Sequence, residues 1–447
     1  MQENRKTTPE SSQFREFIGS GWATHDDRTP SVRDVAQCAA VRRERLSQLF
    51  PGDRLILEAG PLVVRSNDTD FPFRAHSDFA YLTGWGSDSE PDSVLVFEPT
   101  THGHDVCLYF RAPAGRDSDE FYANPQIGEF WIGRRPSLTA VSAELGIATR
   151  DLRELSPGKM DDSLAQRVAQ ELSEMRLVKD SWEVSELRAA VASTARGFAD
   201  IARVLGAIAG NERGERLVEG AFASRARLEG NGVGYDTIAA SGAHACILHW
   251  TRNDGTVNAG DLILIDAGVE LDSYYTADIT RTLPVNGKFS PIQRMVYEGV
   301  RAAADAAFAI VKPGITFRDV HAEAMRVIAE LISAWGLLAV SASESLRPEN
   351  QHHRRYMVHG TSHHLGLDVH DCAQARREMY MDGTVSAGMV FTIEPGLYFH
   401  PDDLTVPEEF RGIGIRIEDN ILVTETGAEN LSVGIPRTAD EIETWLG

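Results

Sequence analysis

Apolar and polar positions change their period along this chain, and the changes divide it into three parts. Residues 1–30 are polar and end at Pro30, which reads as a loosely held N-terminal arm. Val35, Ala39, Val41 and Leu46 then recur at helical spacing until Pro51-Gly52 stops them. Short β-like runs follow at 54–58, 62–65, 93–97 and 105–110, with turn residues between them. Helical and extended patterns alternate to about residue 178, which predicts a small α/β domain over 31–178, with 115–128 as a polar surface loop.

The segment 175–191 opens a second domain, expected over 179–447. Ser181 precedes a helix whose first turn holds Glu183 and Glu186, where the helix dipole favours them, and an Ala-rich pattern carries that helix to 209. Strands are predicted at 262–269 and 275–285, helices at 291–311 and 318–335, an inserted polar loop at 343–355, and strands at 389–394 and 412–423. The chain shows no internal repeat and no low-complexity tract.

Composition narrows the class of function. With 447 residues and 42% hydrophobic content, two or three domains with sizeable cores are expected. Asp plus Glu is 66 against 44 Lys plus Arg, a net charge of -22, which repels phosphate backbones and anionic lipid and argues against nucleic acid or membrane partners. Cys38, Cys107, Cys246 and Cys372 lie far apart with no C-x-x-C pair, which suits a reducing compartment. The polar start of the chain shows no signal-peptide pattern and no run of 18 apolar residues occurs, so a cytoplasmic location is expected.

Acids inside apolar runs carry the chemistry. Asp266 ends LILID, Glu394 ends MVFTIE, Glu418 follows GIRI, and Asp278 sits in YYTADITRTL. Taking a carboxylate out of water costs several kcal/mol unless a partner compensates. A hairpin turning at 271–273 would set Asp266 directly opposite Asp278, and like charges so placed are destabilising unless something bridges them. Four such acids in one domain ask for a shared cation.

Histidines supply the remaining donor. HGTSHHLGLDVHD (359–371) gathers His359, His363, His364 and His370 among glycines. No Glu follows the first His, so the helical H-E-x-x-H motif is absent, and Gly360 and Gly366 favour a loop or strand end. Carboxylates with one imidazole form a hard donor set that suits Mn²⁺, Co²⁺ or another divalent ion better than a thiolate-type zinc site would. Taken singly, each residue has an ordinary reading: a cap, a solvated strand position, a satisfied core histidine. Asp266, Asp278, His363, Glu394 and Glu418 together, in five motif-like segments, do not.

Those segments, LILIDAGVE, YTADITRTLPVNGKFS, HGTSHHLGLDVHD, FTIEPGLY and FRGIGIRIEDNILVTETG, resemble the signatures of the pita-bread metallopeptidases. More narrowly, with SDFAYLTGW, FWIGRRP, MRLVKD and SGAHACILHW, the chain is similar to the aminopeptidase P (Xaa-Pro aminopeptidase) family from about residue 40 onward. The resemblance implies an α/β fold in which a small N-terminal domain precedes a curved, mainly antiparallel sheet flanked by helices. It implies two divalent ions, Mn²⁺ with Co²⁺ or Zn²⁺ as alternatives, held by Asp266, Asp278, His363, Glu394 and Glu418 and bridged by a hydroxide. Glu394 would also act as general base. His249, His359 and His370 would line the substrate channel, Arg416 would pair with the metal-bound acids, and Tyr235 would support them. Trp131 and Asp68 would be N-terminal contributions to the substrate end, and a homo-oligomer, dimer or tetramer, is expected.

A Xaa-Pro bond suits such a site physically. Its tertiary amide has no N–H and its φ is fixed by the ring, so a site that grips an amide hydrogen fails on it. The alternatives are Xaa-Pro dipeptidase, which shares fold and ligands but must recognise a dipeptide's carboxylate, and a non-catalytic binding module of the same fold. Modules of that kind have lost ligands, whereas this sequence keeps five.

Overall fold

The computed structural model describes residues 7–24, 29–67 and 69–447, and they fold as two compact units, 1–169 and 170–447. One sheet organises the first unit, in the order Leu55–Glu58, Val94–Thr100, Gly103–Phe110, Ala148–Asp151. Its first three strands are antiparallel and the fourth joins in parallel. Beside it lie the helices Ala36–Leu49 and Ser77–Thr83. Arg42 and Arg43 are buried because they donate to the carbonyls of Tyr81 and Leu82 at 3.0 and 2.7 Å, which serves acceptors that the short second helix leaves open at its C-terminus.

Two stretches that read as polar contain structure. Ser12–Gly19 is helical within the expected arm, and Trp22 stands edge-on to Phe121 and Phe130 at centroid distances of 5.6 and 6.2 Å. The 115–128 segment is not simply a polar surface loop. It contains the helical turn Glu120–Ala123, with Phe121 and Tyr122 buried, and the two aromatic rings outweigh the surrounding charge.

The second unit begins earlier than the 178/179 division expected from the pattern. Leu177 belongs to its core, Val178 bridges Met389, and Arg176 pairs with Asp371 at 3.0 Å, so the end of the Asp162–Arg176 helix is built into it. Helix Ser181–Ile208 is capped by Asp180 rather than Ser181. The Asp180 carboxylate accepts from the N–H groups of Trp182 and Glu183, and Glu183 accepts from the Asp180 N–H at 2.9 Å. Helices Gly214–Glu229, Pro291–Ile310 and Phe317–Ala334 follow. The 343–355 segment also carries structure, with helical turns at Ala342–Ser345 and His352–Arg355 joined by a buried Ser345–His353 hydrogen bond of 2.9 Å.

Small antiparallel sheets carry the chemistry-bearing residues. Leu262–Ala267 runs between Ile238–Ser241 and Ile279–Pro284. Val390–Ile393 pairs with Asp419–Val423, and Gly396–Tyr398 pairs with Gly414–Arg416. Backbone and side-chain hydrogen bonds join these groups. The Glu418 N–H donates to the Thr280 carbonyl at 3.1 Å, and the Thr282 hydroxyl bonds the Arg416 backbone. Behind them Phe317, Val320, Phe391, Ile393 and Ile421 share one apolar core, which fixes the opposite face of the same strands toward the cavity.

Candidate metal centre

Asp266 and Asp278 share a face, but not as direct partners. Asp266 pairs with Thr280 across the ladder, and the turn is centred one residue later than the pattern places it, at Ser273, with Tyr274 at φ 71. The slip of two positions in register preserves side-chain parity, so Asp278 is the diagonal neighbour on the same face. Tyr235 fills the gap between them. Its hydroxyl lies 2.6 Å from Asp266 Oδ1 and 2.5 Å from Asp278 Oδ1. Burial and the flanking acids push that phenol well above its ordinary pKa.

The histidine loop is fastened to the opposite strands. The Thr392 and Glu394 N–H groups donate to the His363 and Thr361 carbonyls, both at 2.9 Å, which sets His363 beside Glu394. His363 Nδ1 donates to the His364 carbonyl at 3.2 Å, and Nε2 faces Asp278 Oδ2 at 3.2 Å and Glu394 Oε1 at 3.6 Å, so Nε2 is the nitrogen turned toward the acids. Burial would lower the pKa of this imidazole, but Asp278 and Glu394 outweigh it and hold it at about 9. His364 turns the other way, stacked on Phe317 at 4.5 Å in the apolar core.

Glu418 completes the cluster, accepting from the Thr280 hydroxyl at 2.7 Å through Oε2, while its Oε1 is buried with no hydrogen-bond partner. Among the described residues, ligand atoms of Asp278, His363 and Glu418 lie within 4.8 Å of one another. Burial and then mutual repulsion raise the pKa of Glu418 well above the carboxylate range, and burial pushes Glu394 up to about 7 against the pull of His363 and Arg416. Burial likewise raises Asp266, opposed by Arg416, whose Nη2 donates to Asp266 Oδ2 at 2.5 Å. Asp278 stays below its usual value because His363 overcomes the effect of burial.

A cavity of about 680 Å³ opens over this cluster. Its lining includes all five acid and imidazole side chains and also His249, His359, His370, Tyr235 and Arg416. His359 bonds the Gly360 carbonyl through Nδ1 at 2.6 Å and the Tyr398 hydroxyl through Nε2 at 2.8 Å, and burial lowers its pKa to about 3, so the ring is neutral. The His370 ring stands edge-on to His363 at 4.3 Å. Trp131 lies in the first unit, 55% exposed, with its indole N–H on the Tyr122 carbonyl at 2.7 Å, and Asp68 lies outside the described residues.

Two participants are missing from the sequence reading. Thr280 links Glu418 to Arg416, and Tyr398 links Arg416 to His359. Strand period offered the signal, since Thr280 is two residues beyond Asp278 and Tyr398 four beyond Glu394.

The donor set fits a divalent cation. Carboxylates and one imidazole with its Nε2 turned inward converge on one space, and the orphaned Glu418 oxygen lacks the partner that burial demands.

Comparison with known proteins agrees. Residues 185–425 match metallopeptidase family M24, and residues 39–171 match the aminopeptidase P N-terminal domain. The chain is 47% identical to Xaa-Pro aminopeptidase 1 of Streptomyces coelicolor, covering 98% of this chain and 92% of that one. A glutamate-to-alanine variant of Escherichia coli aminopeptidase P in complex with substrate superposes with a TM-score of 0.78 at 32% identity, over 93% of this chain and 99% of that one. The zinc-substituted Escherichia coli enzyme in complex with product also gives 0.78 and 32%, over 93% and 98%. The two-domain α/β pita-bread fold expected from the sequence is therefore the fold of this chain.

Proposed function

The chain belongs to metallopeptidase family M24, with an aminopeptidase P N-terminal domain ahead of the catalytic one, and from that premise we propose that it removes the first residue from peptides whose second residue is proline. The observation that carries this reading is the convergence of Asp266, Asp278, His363, Glu394 and Glu418 under one cavity, with a buried carboxylate oxygen left unpartnered. These five side chains would hold two divalent ions, with Mn²⁺ the first choice for such a hard donor set and Co²⁺ or Zn²⁺ the alternatives. When bound, such ions neutralise the acids and supply a hydroxide nucleophile at neutral pH.

The remaining roles fall to the protein's own groups. Glu394 takes up the proton of the attacking water. Arg416 balances Asp266 from behind, and Tyr235 spaces Asp266 from Asp278. His249, His359 and His370 stand on the cavity wall, where His359 and His370 can stabilise the charge that develops on the scissile carbonyl or hydrogen-bond the peptide. Trp131 and Asp68 serve the substrate end, and the enzyme works as a cytoplasmic homo-oligomer, dimer or tetramer. Among the described residues no helix is long and apolar enough to cross a membrane.

The test is a pair of substrates given to the Mn²⁺-loaded protein. A tripeptide with proline second should release its first residue. Cleavage of the Xaa-Pro dipeptide with none of the tripeptide would make the enzyme a dipeptidase, and no cleavage of either by metal-loaded protein would reject the proposal.

A further inference from the structure

One buried acid takes no part in the metal cluster, yet it gathers a wall of the same cavity. Glu215, near the start of helix Gly214–Glu229, is fully buried, and all four of its acceptor positions are used. Its Oε1 accepts from the Ser241 N–H and His244 Nδ1, both at 2.8 Å. Its Oε2 accepts from Trp250 Nε1 at 2.8 Å and the Gly255 N–H at 2.6 Å. These donors bracket the 241–255 loop at its beginning, its middle and its end. Among the described residues no lysine or arginine lies within ion-pair distance of it, so the donors themselves solvate the carboxylate.

The neighbouring contacts make the clamp tight. His244 stacks on Trp250 with ring centroids 3.9 Å apart. Asn253, buried in a left-handed conformation, accepts from the Ala239 N–H at 2.9 Å and donates to the Thr237 carbonyl at 2.8 Å. A Cβ on Gly255 would fall 2.7 Å from Glu215 Oε2 and 2.6 Å from His244 Cε1, so only glycine lets this backbone reach the carboxylate. Between the fixed points the loop presents Leu248, His249 and Thr251 to the cavity.

We propose that Glu215 is a positioning residue for substrate recognition: through the Trp250 indole it fixes the 247–251 segment, and with it His249, against the bound peptide. Because it touches neither the metal-binding acids nor the cavity, its contribution lies in the shape of the substrate wall. The inference rests on the peptidase reading above and adds to it a residue that acts at a distance.

Two variants test it, Glu215→Gln and Trp250→Phe, each alone and combined with His249→Ala, in the full-length Mn²⁺-loaded protein with a proline-second tripeptide. Glutamine keeps the shape but turns an NH₂ toward two N–H donors, and phenylalanine keeps the ring but removes the donor. Each should raise KM about tenfold while metal content stays at the wild-type level and kcat changes less than KM. Combined with His249→Ala, each should add less than twofold to the loss in kcat/KM, since the segment it holds no longer carries the imidazole. Unchanged KM in Trp250→Phe, or full additivity with His249→Ala, would overturn the proposal even if Glu215→Gln fails to fold. Wild-type protein that cleaves no Xaa-Pro peptide would instead reject the peptidase reading, and the two failures are thereby distinct.

Discussion

Asp266 and Asp278 share a single phenolic hydroxyl, that of Tyr235, at 2.6 and 2.5 Å. One hydroxyl has one proton, so at any instant one of the two contacts sets oxygen acceptors against each other. A cation between the carboxylates removes that conflict. Chelation should therefore abolish peptidase activity and lower Tm together, and Mn²⁺ should restore both. At a metal concentration of about 1,000 Kd the stabilisation would be roughly 4 kcal/mol. Metal-free protein with full activity and an unchanged Tm would end the metal reading.

The cluster separates ligands from wall residues by substitution. Asp278→Asn and Glu418→Gln should lose bound metal and turnover together, because each removes a charge from the buried set. His359→Ala should keep metal and lose about 10²–10³-fold in turnover if the ring stabilises developing charge. Metal analysis of the purified variants decides the matter, and an emptied site in His359→Ala would move that residue among the ligands.

Much of this was legible because the relevant code is short-range. Strand alternation exposed Asp266, Asp278, Glu394 and Glu418 as acids in apolar runs, and glycine spacing kept His363 in a loop. The ladder register was not legible. The turn after Val269–Glu270 is centred on Ser273 and uses a left-handed Tyr274, a conformation no local residue preference announces. Long-range partners were equally hidden: Tyr398 reaches His359 across 39 residues, and Glu215 reaches Trp250 across 35. The aromatic pair in 115–128 shows the converse limit, since two buried rings among charges are invisible to an average over composition.

His321, which is not one of the candidate ligands, gives a pH signature. Arg354 Nη1 lies 2.8 Å from its Nε2, and the Thr361 N–H and hydroxyl lie 3.3 and 3.1 Å from its Nδ1, so donors face both ring nitrogens and disfavour a second proton. Burial, then Arg354, lowers its pKa from 6.5 to about 4. The unfolded chain thus binds a proton that the folded one refuses between those values. The stabilising contribution is complete above pH 6.5 and is lost as pH falls toward 4. His321→Asn should flatten that part of the stability–pH curve in denaturant titrations. An unaltered slope between pH 4 and 6.5 would show that His321 does not titrate there.

Substrate selection and chemistry should separate between the two units. All five metal-binding candidates and the three cavity histidines belong to 170–447, whereas Trp131 lies in the first unit on the short turn Glu129–Ile132. Its indole is 55% exposed and anchored by one hydrogen bond to the Tyr122 carbonyl, which is the geometry of a ring held out for a partner rather than packed in a core. The function proposed above puts it at the substrate end. Trp131→Ala should therefore cost about 1 kcal/mol of stability, the value of one hydrogen bond, and leave metal content unchanged. The loss should appear in KM for Xaa-Pro peptides, because a wall against which apolar substrate packs has gone while the reacting groups remain. Thermal unfolding, metal analysis and steady-state kinetics on the one variant read the three quantities independently. A large fall in Tm accompanied by loss of metal would make Trp131 a structural residue, and unchanged kinetics would remove it from the substrate end altogether.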